Sequence, residues 1–168
     1  RKVLSYDSEF IIVDQAWTTV PPGAQYIMMY LSPTLFADED EQTDRLLVYN
    51  DRSSDDDIGL LESNRLSGLG MGLEGITYSN MEMVQIYLGT GNDVFTISNI
   101  APNAVTEIWG GPGNDTFTIE SNAVLSNSEL FIEGASGNDI FNINSWANQA
   151  DSEMTINGGD HNDTFYIM

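Results

Sequence analysis

An Asn-Asp pair stands at the centre of four similar stretches, and its carboxylate is the most regularly repeated reactive group in the chain. The stretches are LGTGNDVFTI, GGPGNDTFTI, GASGNDIFNI and GGDHNDTFYI, at residues 88–97, 110–119, 134–143 and 158–167. Successive Asp residues lie 22, 24 and 24 positions apart. Carboxylates repeated beside glycines suit cation binding, because a hard cation such as calcium takes about six to eight oxygens from carboxylates and backbone carbonyls.

Apolar residues alternate with mostly polar ones on both sides of each Gly-rich turn. A Phe and an Ile stand two and four residues after each Asp, and another Ile stands seven residues before it. This period of two predicts strand, turn and strand in every copy. Like residues recur between copies, so stacked copies would place Phe on Phe and Ile on Ile. The sequence therefore predicts an all-β fold, a parallel β-solenoid with coils of 22–24 residues.

Residues 81–168 hold the four regular coils, whereas residues 1–80 repeat less clearly. Strand-like runs occur at 10–13, 26–31 and 46–49. The last run ends in Asn50-Asp51, 42 residues before Asp93, which predicts an earlier copy of the turn two coils away, with a strand at 76–78 between them. Two interpretations of residues 1–80 stay open: degenerate solenoid coils with acidic loops, or an N-terminal β cap. The three Asp at 55–57 read as a solvated acidic loop.

The composition excludes several classes of partner and chemistry. The formal charge is −21, from 26 acidic and 5 basic residues, and residues 81–168 contain 12 acidic residues and no Lys or Arg. Such a surface repels nucleic acid and anionic lipid, and attracts cations. There is no long apolar run, so we expect no membrane insertion. The lack of cysteine removes disulfides, thiolate nucleophiles and Cys-based zinc sites.

The stretch GGPGNDTFT at 110–118 resembles the nonapeptide of repeats-in-toxin proteins, G-G-x-G-x-D-x-apolar-x, at every defined position. The copies at 88–96 and 134–142 each lose one of the paired glycines, and the copy at 158–166 has His161 in place of the third glycine. Residues 66–93 are also similar to the repeat unit of very large, calcium-associated extracellular proteins of microbes and algae, which are adhesive or fibre-forming.

The resemblance implies an extracellular or cell-surface location and calcium (Ca2+) ligands on one edge of each coil. The implied ligands are the carboxylates of Asp93, Asp115, Asp139 and Asp163 and the backbone carbonyls of Gly89, Gly91, Gly111, Gly113, Ala135 and Gly137. Repeats-in-toxin rolls carry the nonapeptide on both edges, whereas this chain has one copy per 22–24 residues. A metal-free interpretation stays open beside calcium, because Asn and Asp suit tight turns by themselves.

Two functions from different classes fit these patterns. The first is a non-catalytic structural module of a larger extracellular protein, a rigid acidic solenoid stabilised by calcium that serves as a spacer, adhesin segment or filament building block. The alternative is an accessory or catalytic β-helix domain of a secreted polysaccharide-acting enzyme. Repetition favours the first, because an active site is needed once and these Asp residues recur in every coil. The basic residues that would offset a uronate carboxylate are also absent from residues 81–168.

The expected partners follow from the solenoid itself. The last coil ends at Ile167-Met168 with no polar cap, and an open solenoid end exposes apolar side chains and an unpaired strand edge. We therefore expect it to meet adjacent solenoid coils or copies of the chain end to end. An outward Trp109 would let surface glycans bind as a further partner. Asn114 and Asn162 stand in N-glycosylation sequons, so glycosylated and unmodified turns are both open alternatives.

Overall fold

The computed structural model describes residues 3–6, 11–13, 27–30, 43–72, 74–121, 123, 127–144 and 151–168. All the regular secondary structure in these ranges is β-strand. In chain order they are β1 (Val3–Tyr6), β2 (Ile11–Val13), β3 (Ile27–Tyr30), β4 (Arg45–Tyr49), β5 (Ile58–Glu62), β6 (Arg65–Gly68), β7 (Ile76–Thr77) and β8 (Met83–Tyr87). They continue with β9 (Val94–Ile97), β10 (Val105–Pro112), β11 (Thr116–Ile119), β12 (Glu129–Ser136), β13 (Ile140–Ile143), β14 (Glu153–Asn157) and β15 (Thr164–Ile167). A helix suited to crossing a bilayer is absent from the described part of the chain.

The strands form two sheets, and each coil contributes one strand to each sheet. The first sheet has the order β14-β12-β10-β8-β4-β3, and the second has the order β15-β13-β11-β9-β5-β6-β7. Within the coils all neighbouring strands are parallel. The predicted parallel β-solenoid is therefore confirmed. A separate antiparallel pair, β1 and β2, lies outside both sheets.

The core is built from columns of like residues, as the repeat predicts. The strand register places Phe95, Phe117 and Phe141 one above the other, and all three are at most 1% exposed. The stacked Ile column after the turn and the two apolar columns before it are also buried in the first three regular coils. Adjacent coils bury each other's inner faces, because a single coil has only one layer of apolar side chains.

The first coil of the stack differs from the sequence prediction. Strand β4 pairs directly with β8, and β5 pairs directly with β9, so no coil lies between them. This register aligns Asp56-Asp57 with Asn92-Asp93, so the prediction that Asn50-Asp51 is the earlier copy of this turn is wrong. The predicted strand at 76–78 does not join the parallel stack either, because β7 pairs antiparallel with β6. The acidic run at 55–57 is thus part of the turn of the first coil, and Asp55 and Asp56 are exposed there, as predicted for a solvated acidic loop.

The two ends of the stack are built differently. At the first coil, β4 pairs with the antiparallel strand β3, and β5 pairs with the antiparallel strand β6. Gly59 stands where the later coils have Phe, and a methyl group there would overlap the Phe95 ring. At the other end, β14 and β15 have no further strand beside them among the described residues. Phe165 is 45% exposed there, and Ile167 is 77% exposed.

The Asn-Asp turns as a candidate functional site

The four predicted Asp residues form a column inside the turn, linked by backbone hydrogen bonds. The backbone N–H of Asp93 donates to Oδ1 of Asp115 at 2.8 Å, and the N–H of Asp115 donates to Oδ1 of Asp139 at 2.8 Å. The N–H of Asp139 donates to Oδ1 of Asp163 at 3.0 Å, and the N–H of Asp57 donates to Oδ1 of Asp93 at 2.8 Å. Each carboxylate therefore reaches back to the preceding coil and caps one of its turn amides.

The neighbouring Asn residues form a second, exposed column that runs in the opposite direction. The backbone N–H of Asn114 donates to Oδ1 of Asn92 at 2.9 Å, and that of Asn138 donates to Oδ1 of Asn114 at 2.8 Å. Asp56 takes the same place in the first coil and accepts from the N–H of Asn92 at 2.7 Å. Each Asn side chain thus reaches forward to the next coil, so every turn is tied to both neighbours.

Burial sets the electrostatics of the Asp column. Asp93, Asp115 and Asp139 are at most 1% exposed. Desolvation raises the pKa of Asp115 to about 7, although the hydrogen bond from Asp93 N–H opposes this and the neighbouring carboxylates add to it. Burial likewise raises the pKa of Asp93 and Asp139. Removing a charge from water in this way favours the neutral, protonated acid.

One oxygen of each central carboxyl group has no hydrogen-bond partner. These atoms are Oδ2 of Asp115 and Oδ2 of Asp139, whereas Oδ2 of Asp93 accepts from Gly89 N–H at 3.1 Å. Asp115 Oδ2 and the Gly134 carbonyl oxygen both lie against the open side of the Gly110 α-carbon. Both oxygens occupy space that a side chain at residue 110 would need.

The predicted carbonyl ligands lie at the contact between coils. The Gly91 carbonyl oxygen lies against the Gly113 α-carbon, and the Gly113 carbonyl oxygen lies against the Gly137 α-carbon. The Gly89 carbonyl oxygen faces Gly111 in the same way, and the Ala135 carbonyl oxygen faces Gly159 and also accepts the Asp160 N–H at 2.7 Å. These glycines therefore allow the backbones of successive turns to approach closely.

As they are arranged, the described turns offer a cation few free oxygens. Each Asp in the column already accepts a backbone N–H through Oδ1. Among the described residues, no three acidic, His or Cys side chains are grouped so as to hold a metal ion. An unpartnered Oδ2 and a nearby glycine carbonyl offer a cation two oxygens, fewer than the about six to eight that calcium takes. Calcium binding stays a prediction.

Ala135 adopts a backbone conformation that favours glycine. Its φ is 77°, and the equivalent residues of the flanking coils are Gly111 at 91° and Gly159 at 95°. An L side chain costs about 1–2 kcal/mol in the left-handed region. We therefore expect Ala135→Gly to raise the free energy of unfolding by up to about 1 kcal/mol, after the greater flexibility of glycine in the unfolded chain is subtracted. Urea denaturation measures this, and a loss of stability would contradict the turn geometry.

The pKa of Asp115 predicts that stability falls as the pH rises from about 4 to about 7. The unfolded carboxyl group titrates near its ordinary 3.8, whereas the folded one holds its proton up to about 7. In this window the folded state binds more protons than the unfolded state, so raising the pH favours unfolding. We expect the Asp115→Asn variant to show a flatter profile, and the exposed Asp51→Asn to leave it unchanged. A wild-type stability that rises with pH over this window, measured by urea denaturation, would refute the buried column.

Three features of the coils were not predicted from the sequence. The first is the alignment of Asp56-Asp57, which the pattern Asp-x-x-x-apolar at 57–61 could have revealed. The second is a corner at which Asn103, Asn127 and Asp151 adopt a left-handed φ of 55–58°, each 12 residues before the column Asp. The third is an outward aromatic stack on the first sheet, in which Tyr87 lies 5.0 Å from Tyr49 and 4.3 Å from Trp109, measured between ring centroids.

The aromatic stack bears on the predicted glycan surface. Trp109 points outward as predicted and is half-buried. Its ring is nearly parallel to that of Tyr87, with an interplanar angle of 3°, and the Tyr87 ring is covered on its other face by Tyr49. A sugar packs against an aromatic face, and these faces are largely occupied by one another. The prediction that surface glycans bind through Trp109 stays untested.

No family model matches the chain, and the comparisons with curated proteins and with solved structures found no significant match. The interpretation of its function therefore rests on the fold and on the turns described above.

Proposed function

We propose that this chain is a non-catalytic structural module of a larger extracellular protein. It is a rigid, acidic β-solenoid that serves as a spacer, an adhesin segment or a filament building block. Its partners are adjacent solenoid coils or other copies of the chain. The extracellular location is part of the proposal and follows from the resemblance of residues 66–93 and 110–118 to secreted repeat proteins.

The observation that carries the proposal is the use of the repeated carboxylates as structural groups. Asp93, Asp115 and Asp139 are buried, and each accepts the N–H of the preceding coil. A buried carboxylate that is hydrogen-bonded to the backbone is not accessible to a substrate as an acid, base or nucleophile. The groups that looked most able to do chemistry therefore hold the coils together.

One observation favours the alternative, a polysaccharide-acting domain. A shallow pocket on the outer face of the first sheet is lined by Glu107, Glu129 and Glu153 together with Phe131. Glycoside hydrolysis uses a pair of carboxyl groups that flank the scissile bond. Glu107 is already engaged, because its Oε2 accepts from Gln85 Nε2 at 2.6 Å. The pocket is the place where an activity would be sought.

A polysaccharide assay separates the two functions. The whole chain is incubated with soluble neutral glucans and with polyuronates, and viscosity and reducing ends are followed over time. We expect no change in either quantity. A loss of viscosity that is abolished in Glu129→Gln and retained in the exposed Glu120→Gln would assign the activity to the pocket and overturn the structural proposal.

Calcium binding is tested separately, by calorimetric titration of the metal-free chain. The specific observation in its favour is the pair of unpartnered oxygens, Oδ2 of Asp115 and Oδ2 of Asp139. A heat of binding that is lost in Asp115→Asn, with a melting temperature lowered by a chelator, would establish the ion. The absence of both effects would leave the turns as metal-free hydrogen-bonded ladders.

A further inference from the structure

The exposed end of the stack is formed by β14 and β15. It presents the same columns of side chains that pack between coils in the interior of the stack, but no coil covers it among the described residues. In the interior of the stack, Phe141 is 0% exposed and packs against Phe165, with ring centroids 4.7 Å apart and an interplanar angle of 14°. Within the part of the chain that the structure describes, the other face of the Phe165 ring has no such partner. Met154 and Ile156 are partly buried, whereas their counterparts Leu130 and Ile132 are buried.

The two hydrogen-bond columns are also incomplete at this end. Asp163 accepts the N–H of Asp139, but its own N–H has no acceptor among the described residues. Asn162 donates its N–H to Asn138 at 3.2 Å, and its Oδ1 accepts no N–H from the described chain. A following coil with an Asn-Asp turn supplies both missing groups, an Asp carboxylate and an Asn backbone N–H. A partner that fits this surface therefore needs both an Asn-Asp turn and an apolar face.

At the first coil the strand edges are already occupied. The strands beside β4 and β5 at this end are antiparallel, so a parallel strand cannot occupy the same edges without displacing them. One oxygen of the Asp57 carboxylate, Oδ2, is also held locally, because it accepts from Asn50 Nδ2 at 2.8 Å and from Ser53 Oγ at 2.8 Å. A second copy stacked head to tail on the exposed end would have to present this antiparallel end.

We propose that the surface of β14 and β15 binds one further parallel coil of the G-x-G-N-D-x-F-x-I type, and that the opposite end does not. The proposal deepens the structural function above by naming the partner of that module. It continues an established interface, since the coil contacts from β8–β9 to β14–β15 repeat the same register. A tail-to-tail second copy would run antiparallel and would therefore not continue this parallel register.

The experiment fuses a duplicate of residues 145–168 after Met168, which adds one coil in register because Met168 aligns with Asn144. The control extension is identical except that its duplicate carries Phe165→Asp and Ile167→Asp. Amide hydrogen exchange is followed in Thr164–Ile167 of the original coil, together with the melting temperature. We expect the extension to slow exchange at these amides at least about tenfold and to raise the melting temperature, whereas the control does neither.

Two results would overturn the proposal. The first is equal exchange in the extended and control chains, which would show that the end does not bind a coil even when one is tethered to it. The second is concentration-dependent assembly of the unextended 168-residue chain in sedimentation, which would show that a second copy occupies the end. Neither result depends on the polysaccharide assay, so this inference and the structural function fail independently.

Discussion

Phe117→Ala should lower the free energy of unfolding by about 3–5 kcal/mol, one of the two largest effects that we expect of a single substitution. Phe117 is fully buried, and its ring stacks on that of Phe141 at 5.3 Å between centroids. Removing the ring leaves a cavity between two coils that the hydrogen-bonded strands on either side prevent from closing. The loss therefore includes the transfer energy of the ring and the unrelieved cavity.

The matched control for Phe117→Ala is Thr118→Ala, one position along the same strand. Thr118 points out of the second sheet and pairs in register with Thr96 and Asn142, so its removal leaves no cavity. We expect a loss of less than about 1 kcal/mol, mainly from β-propensity. Urea denaturation of both variants measures the difference. Equal losses would mean that the strand register is wrong, because a shift by one residue exchanges the two faces.

Gly137→Ala should lower the free energy of unfolding at least as much as Phe117→Ala does, for two independent reasons. The φ of Gly137 is 146°, a backbone conformation that L residues rarely adopt. A methyl group at this position would also overlap the Gly113 carbonyl oxygen of the preceding coil, and a backbone atom cannot move aside as a side chain can. Strained dihedrals alone cost about 1–3 kcal/mol, and separating the two turns would add the loss of their hydrogen bonds.

Gly72→Ala provides the control for this substitution. Apart from its two chain neighbours, no described residue lies within 4 Å of the position that a methyl group would take at Gly72. We expect its unfolding free energy to stay within about 1 kcal/mol of wild type, with any gain due to the stiffer unfolded chain. Both variants are compared by urea denaturation with circular dichroism. A Gly137→Ala protein as stable as Gly72→Ala would show that the turns are not in close contact.

The regular half of the fold was predictable because its signal is repeated. The columns headed by Phe95 and Ile97 recur at fixed offsets from the Asp, so the parallel stack, its register and its buried face all follow from one alignment. The first coil was misplaced because its turn reads Asp56-Asp57 with Gly59 in the Phe position. Asn50-Asp51 matched the dipeptide better, but it lacks the apolar residues two and four positions later.

The role of the Asp column was predictable only in part. Spacing alone shows that the carboxylates stack, and it shows that their repulsion needs an offset. Whether the offset is a cation, a proton or a backbone N–H depends on whether the side chain points into the turn or out of it. The structure places Asp115 inside and Asn114 outside, and it gives their hydrogen bonds opposite directions along the stack. A dipeptide pattern carries no information about that choice.

The central claim is that this column is structural and is held by hydrogen bonds between coils. Its most direct test is the unfolding free energy of Asp115→Asn at about pH 8, in excess chelator and in excess calcium. The amide oxygen of Asn can accept the same N–H of Asp93, and the substitution removes a buried charge whose second oxygen has no partner. We predict a variant at least as stable as wild type in both solutions. A loss of more than about 2 kcal/mol, or a calcium-dependent gain seen only in the wild type, would contradict the account.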